Sequence, residues 1–239
     1  MIKEILSKSN SKIKYIASLQ LPKYRKEHNR FLAEGYKALE MALKTNLVKD
    51  VFSLKPIANL PEEITNYIVS EEIMDKISST KSPEGVVFLC DIPTYNQVKG
   101  DKIIYLDRVS DPGNAGTIIR TALAFGYDAV IFSNDSVDIY NEKVISATKG
   151  AIFEIPVFKK DIEEINKGYQ VISSTLSPKS VSLENSKANK PFILVLGNES
   201  HGVSQRVVDL SDLLVKIPMN VMDSLNVSVA AGILMYYFK

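Results

Sequence analysis

Three segments of the chain place amides, a carboxylate and a guanidinium directly after apolar runs, where such groups can hold a polar ligand. The first runs from Leu106 through Asp111-Pro-Gly-Asn114-Ala-Gly116 to Arg120. Asn is a favoured helix N-cap, so Asn114 is expected to open a helix over 114–125. Arg120 then projects from its polar face back toward the loop, and Gly126 ends it. The second segment drives the buried run Phe192–Leu196 into Gly197, Asn198, Glu199 and Gly202. The third passes Ile217-Pro-Met219 and enters a helix near Ser224 that carries Leu225, Asn226 and Ser228. That helix is apolar nearly all round, which predicts burial, against the rest of the chain or a second subunit. A buried amide or hydroxyl without a partner costs about 1–3 kcal/mol, so Asn226 and Ser228 need a capping network or a ligand. Glu199 is either solvated or a ligand holder. Each segment taken singly also fits an ordinary structural turn. No phosphate-loop pattern is present, because Val203 and Ser204 follow Gly197-x4-Gly202 where Lys and Ser/Thr are required. No Gly-x-Gly-x-x-Gly follows a strand either.

The elements that must position these residues alternate strand and helix. Strands are expected at Ile103–Leu106, Ala129–Phe132, Ile152–Val157, Gln170–Ser174, Phe192–Leu196 and Leu213–Ile217. Helices are expected over 114–125, 141–149, 161–168, 204–210 and 224–238. That order implies an α/β domain over 102–239 with a mostly parallel sheet covered on both faces. Ligands bind such sheets at loops beyond the carboxyl ends of the strands. Residues 1–92 read as a small α+β domain, with helices at Ser11–Leu19 and Ala33–Leu47 and strands at Val51–Leu54, Tyr67–Val69 and Val86–Leu89. Residues 93–101, polar and bracketed by Pro93 and Gly100, are expected to link the two.

Over 239 residues, 29 Lys and Arg meet 28 Asp and Glu, so total charge excludes no partner. Locally, residues 1–30 hold eight basic residues against two acidic, a charge of +6. That footprint suits a phosphate backbone, with Lys12, Lys14, Lys23, Arg25 and Arg30 as candidate phosphate contacts, although a solvated helical face has the same composition. The lone Cys90 excludes an intrachain disulfide and points to a reducing, cytoplasmic setting. One Cys and two His do not supply a zinc set, and no metal site is expected. No N-terminal run has the form of a secretory signal, and the apolar stretch Val227–Phe238 is too short to span a bilayer.

Together the three segments resemble the SpoU (TrmH) family of the SPOUT superfamily, RNA ribose 2′-O-methyltransferases. The resemblance is carried by Asp111-Pro-Gly-Asn114-x-Gly116 with Arg120, Leu196-Gly-Asn-Glu199 with Gly202, and Ile217-Pro-Met with Ser224-Leu-Asn226-Val-Ser228-Val-Ala. Phe31-Leu-Ala-Glu-Gly35 and Ser79-Thr-Lys-Ser-Pro-Glu-Gly85 resemble the family's N-terminal substrate-binding domain, similar to a ribosomal-protein fold. The resemblance implies a deep C-terminal trefoil knot and S-adenosylmethionine held by Leu196, Gly197, Ile217, Met219 and Leu225. It implies a catalytic set of Asn114, Arg120, Glu199, Ser224 and Asn226, completed in a homodimer. The substrate class it implies is RNA, with large-subunit rRNA favoured over tRNA. A non-catalytic ribosome-assembly protein on the same fold is the rival reading. Two departures concern the cofactor rim: Ser200 and His201 stand where the family often has glycine, and the Asn220–Asp223 connection lacks one.

Overall fold

The computed structural model describes residues 1–239 except Lys81, Asn96 and Asp223. These three fall within the 79–85 motif, the expected linker and the 220–223 connection, so those parts of the reading lie outside the described residues. The chain forms two compact units: Met1–Thr94 with Tyr140–Phe153, and Tyr95–Ile139 with Glu154–Lys239. The expected single boundary at 93–101 missed the exchange of residues 140–153, which belong by their packing to the first unit. Gly150 makes that association close. A Cβ there would lie 2.5 Å from Met41 Sδ, and Phe153 places its ring 6.1 Å from Phe31 and 5.9 Å from Phe88.

The first unit contains β1 (Ile2–Ile5), α1 (Ser11–Ser18), α2 (Pro22–His28), β2 (Arg30–Glu34), α3 (Tyr36–Ala42), β3 (Val48–Ser53), β4 (Thr65–Val69), α4 (Glu71–Ile77), β5 (Val86–Asp91) and α6 (Glu142–Thr148). Its sheet runs β1-β4-β3-β5-β2. The expected helix Ala33–Leu47 is corrected. Residues 30–34 pair antiparallel with β5, burying Phe31 and Ala33 in strand alternation. Gly35 at φ +97° then turns the chain into α3. The leucine spacing that suggested a helix spans that break.

The second unit contains β6 (Lys102–Asp107), α5 (Pro112–Ala124), β7 (Ala129–Phe132), β8 (Val157–Lys159), β9 (Gln170–Ser174), β10 (Val181–Ser182), β11 (Phe192–Gly197), α7 (Gln205–Asp209), β12 (Leu213–Lys216) and α8 (Val227–Tyr237). The sheet order is β10-β12-β9-β11-β6-β7-β8, and every neighbouring pair is parallel. All six residues of β11 and all four of β7 are buried, as expected where both faces of a parallel sheet are covered. Two expectations fail here. The run 152–157 is not one strand: Ala151–Phe153 form a 3-10 turn, which sends Phe153 onto the aromatic rings of the first unit, and β8 begins only at Val157. The stretch 161–168 holds only a 3-10 turn at Ile162–Glu164, which ends where Ile165 leaves the helical region at φ −125°. No described helix is long and apolar enough to cross a membrane.

Cys90 is fully buried in β5, and burial pushes its thiol well above the ordinary range. It is an unreactive packing residue. In the second unit the expected cost of core loss is large. Ile193→Ala, at a fully buried position in the central strand, should destabilise the protein by roughly 2–5 kcal/mol. Val181→Ala, 40% exposed at the sheet edge, should stay within about 0.5 kcal/mol. Denaturant titration compares the two.

Candidate active site

The site lies in the second unit, where β6, β9, β11 and β12 end. β6 closes with Asp107, 2% exposed, whose Oδ2 accepts the Ser204 amide at 2.6 Å. This ties the first loop to the segment after the second. Arg108 follows at φ +59°, and its carbonyl accepts from Asn198 Nδ2 at 2.9 Å. Pro112 occupies the first position of α5, where its missing N–H costs nothing. The N-cap is Asp111, whose Oδ1 accepts the Asn114 amide at 2.7 Å. The expectation that Asn114 caps this helix is therefore corrected. Asn114 lies three positions past the cap, inside the first turn, so its side chain is available for other contacts.

Those contacts join all three segments. Asn114 Nδ2 donates to Glu199 Oε1 at 3.1 Å, and Asn226 Nδ2 donates to Asn114 Oδ1 at 3.0 Å. Asn226 Oδ1 accepts the Ser228 amide at 2.9 Å and the Ser228 hydroxyl at 2.6 Å, which caps α8. Both ends dictate the direction of this chain. An ionised carboxylate can only accept and a backbone N–H can only donate, so both asparagine amides must face one way. Glu199 also accepts from Ser110 N at 3.3 Å, Ser110 Oγ at 3.0 Å and Asp111 N at 3.1 Å. Partial burial would raise its pKa. The amide of Glu199 itself, the Asn114 side chain and the Asp111 and Ser110 amides outweigh that effect and hold it below the ordinary carboxylate value. The expected helix start near Ser224 is corrected to Val227. Asn226 is exposed rather than buried and Ser228 half-buried, yet both have partners.

Glu199 sits in a hairpin closed by two backbone bonds between Asn198 and Gly202, of 3.0 and 2.9 Å. Gly197 makes the turn possible. A Cβ there would lie 2.2 Å from Gly202 C and Val203 N, closer than any side chain can approach the backbone.

Beside the hairpin is a cleft of about 380 Å³, within the range of small-ligand sites. Leu196, Gly197, Ile217, Met219 and Leu225 line it together, as does Ser224. The apolar walls formed by Leu176, Ile217, Met219 and Leu225, beside Ser174, Thr175 and Glu199, fit a ligand with a flat heterocycle and a polar tail. Ser174, Thr175 and Leu176 were not anticipated, because they belong to no motif. The signal was their place at and just past the end of Gln170–Ser174, the strand paired with β11. His201 also lines this cleft, so the departure from glycine falls on its rim. Arg120 is exposed on α5 and makes no hydrogen bond or ion pair among the described residues. The other four catalytic candidates lie in the relay or along the cleft; Arg120 joins neither.

The candidate RNA contacts divide. Lys14 and Lys23 are exposed. Arg25 is corrected: it is 3% exposed, and its Nη1 donates at 2.8 Å to both Leu19 O and Gln20 O, carbonyls at the end of α1. Lys12 pairs with Asp50 at 2.9 Å and lies 4.4 Å from the Tyr67 ring centre. Arg30 pairs with Asp91 at 3.1 Å. Sequence charge does not distinguish cations spent inside the fold from those left to solvent.

The pKa shift of Glu199 has a testable consequence. A carboxylate whose folded pKa is lowered stabilises the fold fully above its unfolded value of about 4.3, and that contribution fades as pH falls through the folded value. Melting curves between about pH 3 and 7 should therefore show an acid-dependent difference between wild type and Glu199→Gln, largest above about pH 5 and shrinking toward pH 3. A constant difference would show that the carboxylate charge does not hold the loops.

A model of the SpoU rRNA methylase family matches residues 101–236, and one of the MRM3-like substrate-binding domain matches residues 10–87. A 23S rRNA (guanosine(2553)-2′-O)-methyltransferase of Bacillus subtilis, RlmP, is 31% identical over 100% of both chains. An AdoMet-bound rRNA methyltransferase from Sinorhizobium meliloti superposes with a TM-score of 0.87 at 30% identity, covering 99% of this chain and 97% of that one. A TrmH/SpoU tRNA-modifying enzyme of A. aeolicus, 32% identical, covers 59% of this chain and 75% of its own at a TM-score of 0.52. With both units matched in order and the three motif segments meeting at one rim of a parallel sheet, the chain belongs to the SpoU rRNA methylase family, whose members are RNA methyltransferases using S-adenosylmethionine.

Proposed function

We propose that the protein methylates a ribose 2′-hydroxyl of large-subunit rRNA. The observation that carries this reading is the relay Asn226–Asn114–Glu199, which unites the three family motifs beside the cleft. The rRNA target is favoured because the similarity to the 23S rRNA enzyme extends over the whole chain, whereas the similarity to the tRNA enzyme covers 59% of it.

Leu196, Gly197, Ile217, Met219 and Leu225 would hold S-adenosylmethionine in the cleft they line. When bound, the cofactor supplies a sulfonium-activated methyl, so no residue has to activate the donor. The protein's task is alignment of the attacking hydroxyl, which in ideal cases contributes up to about 7–11 kcal/mol. Glu199 is a positioning residue in this scheme. Its acceptor sites are taken by backbone and side-chain donors and its pKa is depressed, which makes it a poor base and a firm anchor for the Asn114 amide. Ser224 lines the cleft and Asn226 holds the start of α8. Arg120 carries a guanidinium, a planar fork of N–H donors, suited to clamping phosphate and stabilising negative charge that develops on the 2′-oxygen. Lys14 and Lys23 remain RNA contacts in this reading.

A homodimer and a trefoil-knotted C-terminal segment complete the proposal. The dimer is supported by α8, where Val229, Ile233 and Tyr236, at i, i+4 and i+7, are 52%, 39% and 58% exposed. That is an apolar stripe of the kind that marks an interface. The second subunit would then cover α8, whose packing neighbour α5 carries Arg120.

Mapping alkali-resistant positions in 23S rRNA incubated with protein and cofactor tests the activity, and a ladder without a new protected position would refute it. Arg120→Ala should lower the rate at least 100-fold while cofactor affinity stays within about threefold; activity within threefold of wild type would remove arginine from the chemistry. Sedimentation should give twice the 26.6 kDa chain mass. Ile233→Asp should shift the protein to the monomer and reduce methylation with it.

A further inference from the structure

The first unit carries an aromatic cluster at its surface that the catalytic reading does not use. Tyr15 and His28 meet edge to face, with centroids 5.0 Å apart and planes at 85°. Tyr24 lies nearly parallel to His28, at 6.4 Å and 11°. His28 is exposed, while Tyr15 and Tyr24 are half-buried, with their bodies packed on the apolar cluster of this unit. The cluster is held in place from three sides. Arg25 bridges the end of α1 to α2 through Leu19 O and Gln20 O. Asn29, at φ 52°, turns the chain from α2 straight into β2. Arg30 Nη1 then reaches the Tyr15 hydroxyl at 3.5 Å.

Cations surround these rings. Lys23 Nζ lies 5.7 Å from the Tyr24 ring centre, and Lys14, Lys23 and Lys26 are exposed. Glu27 is the one acidic residue of α2. Anchored rings that reach the surface beside solvent-facing ammonium groups are the combination that binds unpaired nucleotides, with bases stacking on the rings and phosphates meeting the lysines. Duplex RNA keeps its base faces covered and offers such rings nothing to stack on.

We propose that Tyr15, Tyr24 and His28 form a stacking platform for unpaired bases of the RNA substrate, with Lys14, Lys23 and Lys26 holding the flanking phosphates. The proposal rests on the RNA methyltransferase reading and adds where the substrate's single-stranded part docks. It also gives Arg25 its role: a buried brace under the platform, not a contact.

The test is fluorescence anisotropy of the full-length protein with a labelled oligouridine and with a blunt RNA duplex of equal length, over a range of salt. Wild type should bind the single strand more tightly. His28→Ala and Tyr24→Ala should each weaken single-strand binding about 5- to 100-fold, the range expected for loss of one stacked base. The salt slope should stay unchanged, while Tyr24→Phe should retain affinity. The double change Lys23→Ala with Lys26→Ala should reduce the salt slope by about 1 to 2. His28 is exposed, so its variant decides the matter if Tyr24→Ala folds poorly, and cofactor binding checks the folding of both. Ring variants that bind the single strand within twofold of wild type, or lose single strand and duplex alike, would overturn the platform. Absence of rRNA methylation by a wild-type protein that shows the expected ring-dependent binding would sink the enzymatic reading and leave the platform standing.

Discussion

A carboxylate that can only accept organises the catalytic unit. Glu199 draws in the amides of Ser110 and Asp111 and the side chain of Asn114, and through Asn114 it reaches Asn226 and the cap of α8. Those contacts span 85 to 112 residues of sequence, so each closes a long loop whose entropic cost other interactions must meet. The parallel sheet supplies most of that through its fully buried strands. β11 lies between β6 and β9, and β9 pairs in turn with β12. The ends of these strands are therefore already neighbours before any polar contact forms, and the relay has only to set orientation.

That division of labour explains the residue types at the rim. Hydrophobic burial has no direction and could not tell one asparagine rotamer from another. Hydrogen bonds of fixed polarity can, and once Glu199 is ionised every amide in the line has one allowed orientation. Gly197 belongs to the same logic, because the hairpin presenting Glu199 folds back too closely for any side chain.

The first unit uses charge in a different way. Its N-terminal segment is rich in Lys and Arg, yet Arg25 is buried among helix-end carbonyls, Lys12 is held by Asp50 and Tyr67, and Arg30 by Asp91. Spending these cations on the fold fixes α1 and α2 relative to the sheet and leaves Lys14, Lys23 and Lys26 facing solvent. A basic composition is thus partly scaffold and partly surface.

The strands of the parallel sheet were legible in the sequence wherever an apolar run was long and bounded, as at Phe192–Leu196 and Ala129–Phe132, because burial on both faces demands continuous hydrophobicity. The motif residues were legible because three separated segments together resemble one family in order and spacing, whereas each taken singly also fits an ordinary structural turn. What the sequence could not determine was how residues compete for one role. Asp111 and Asn114 can both cap a helix, and only the observed turn, with Pro112 in the first position, assigns the cap to Asp111 and frees Asn114. Leu32 and Leu39 can share a helix face until pairing with β5 draws Phe31 and Ala33 into a strand. Ser174–Leu176 enter the cleft only because β9 pairs beside β11. Local chemistry determined which residues could act; long-range pairing decided which of them meet, because contacts between distant segments depend on partners that no local pattern encodes.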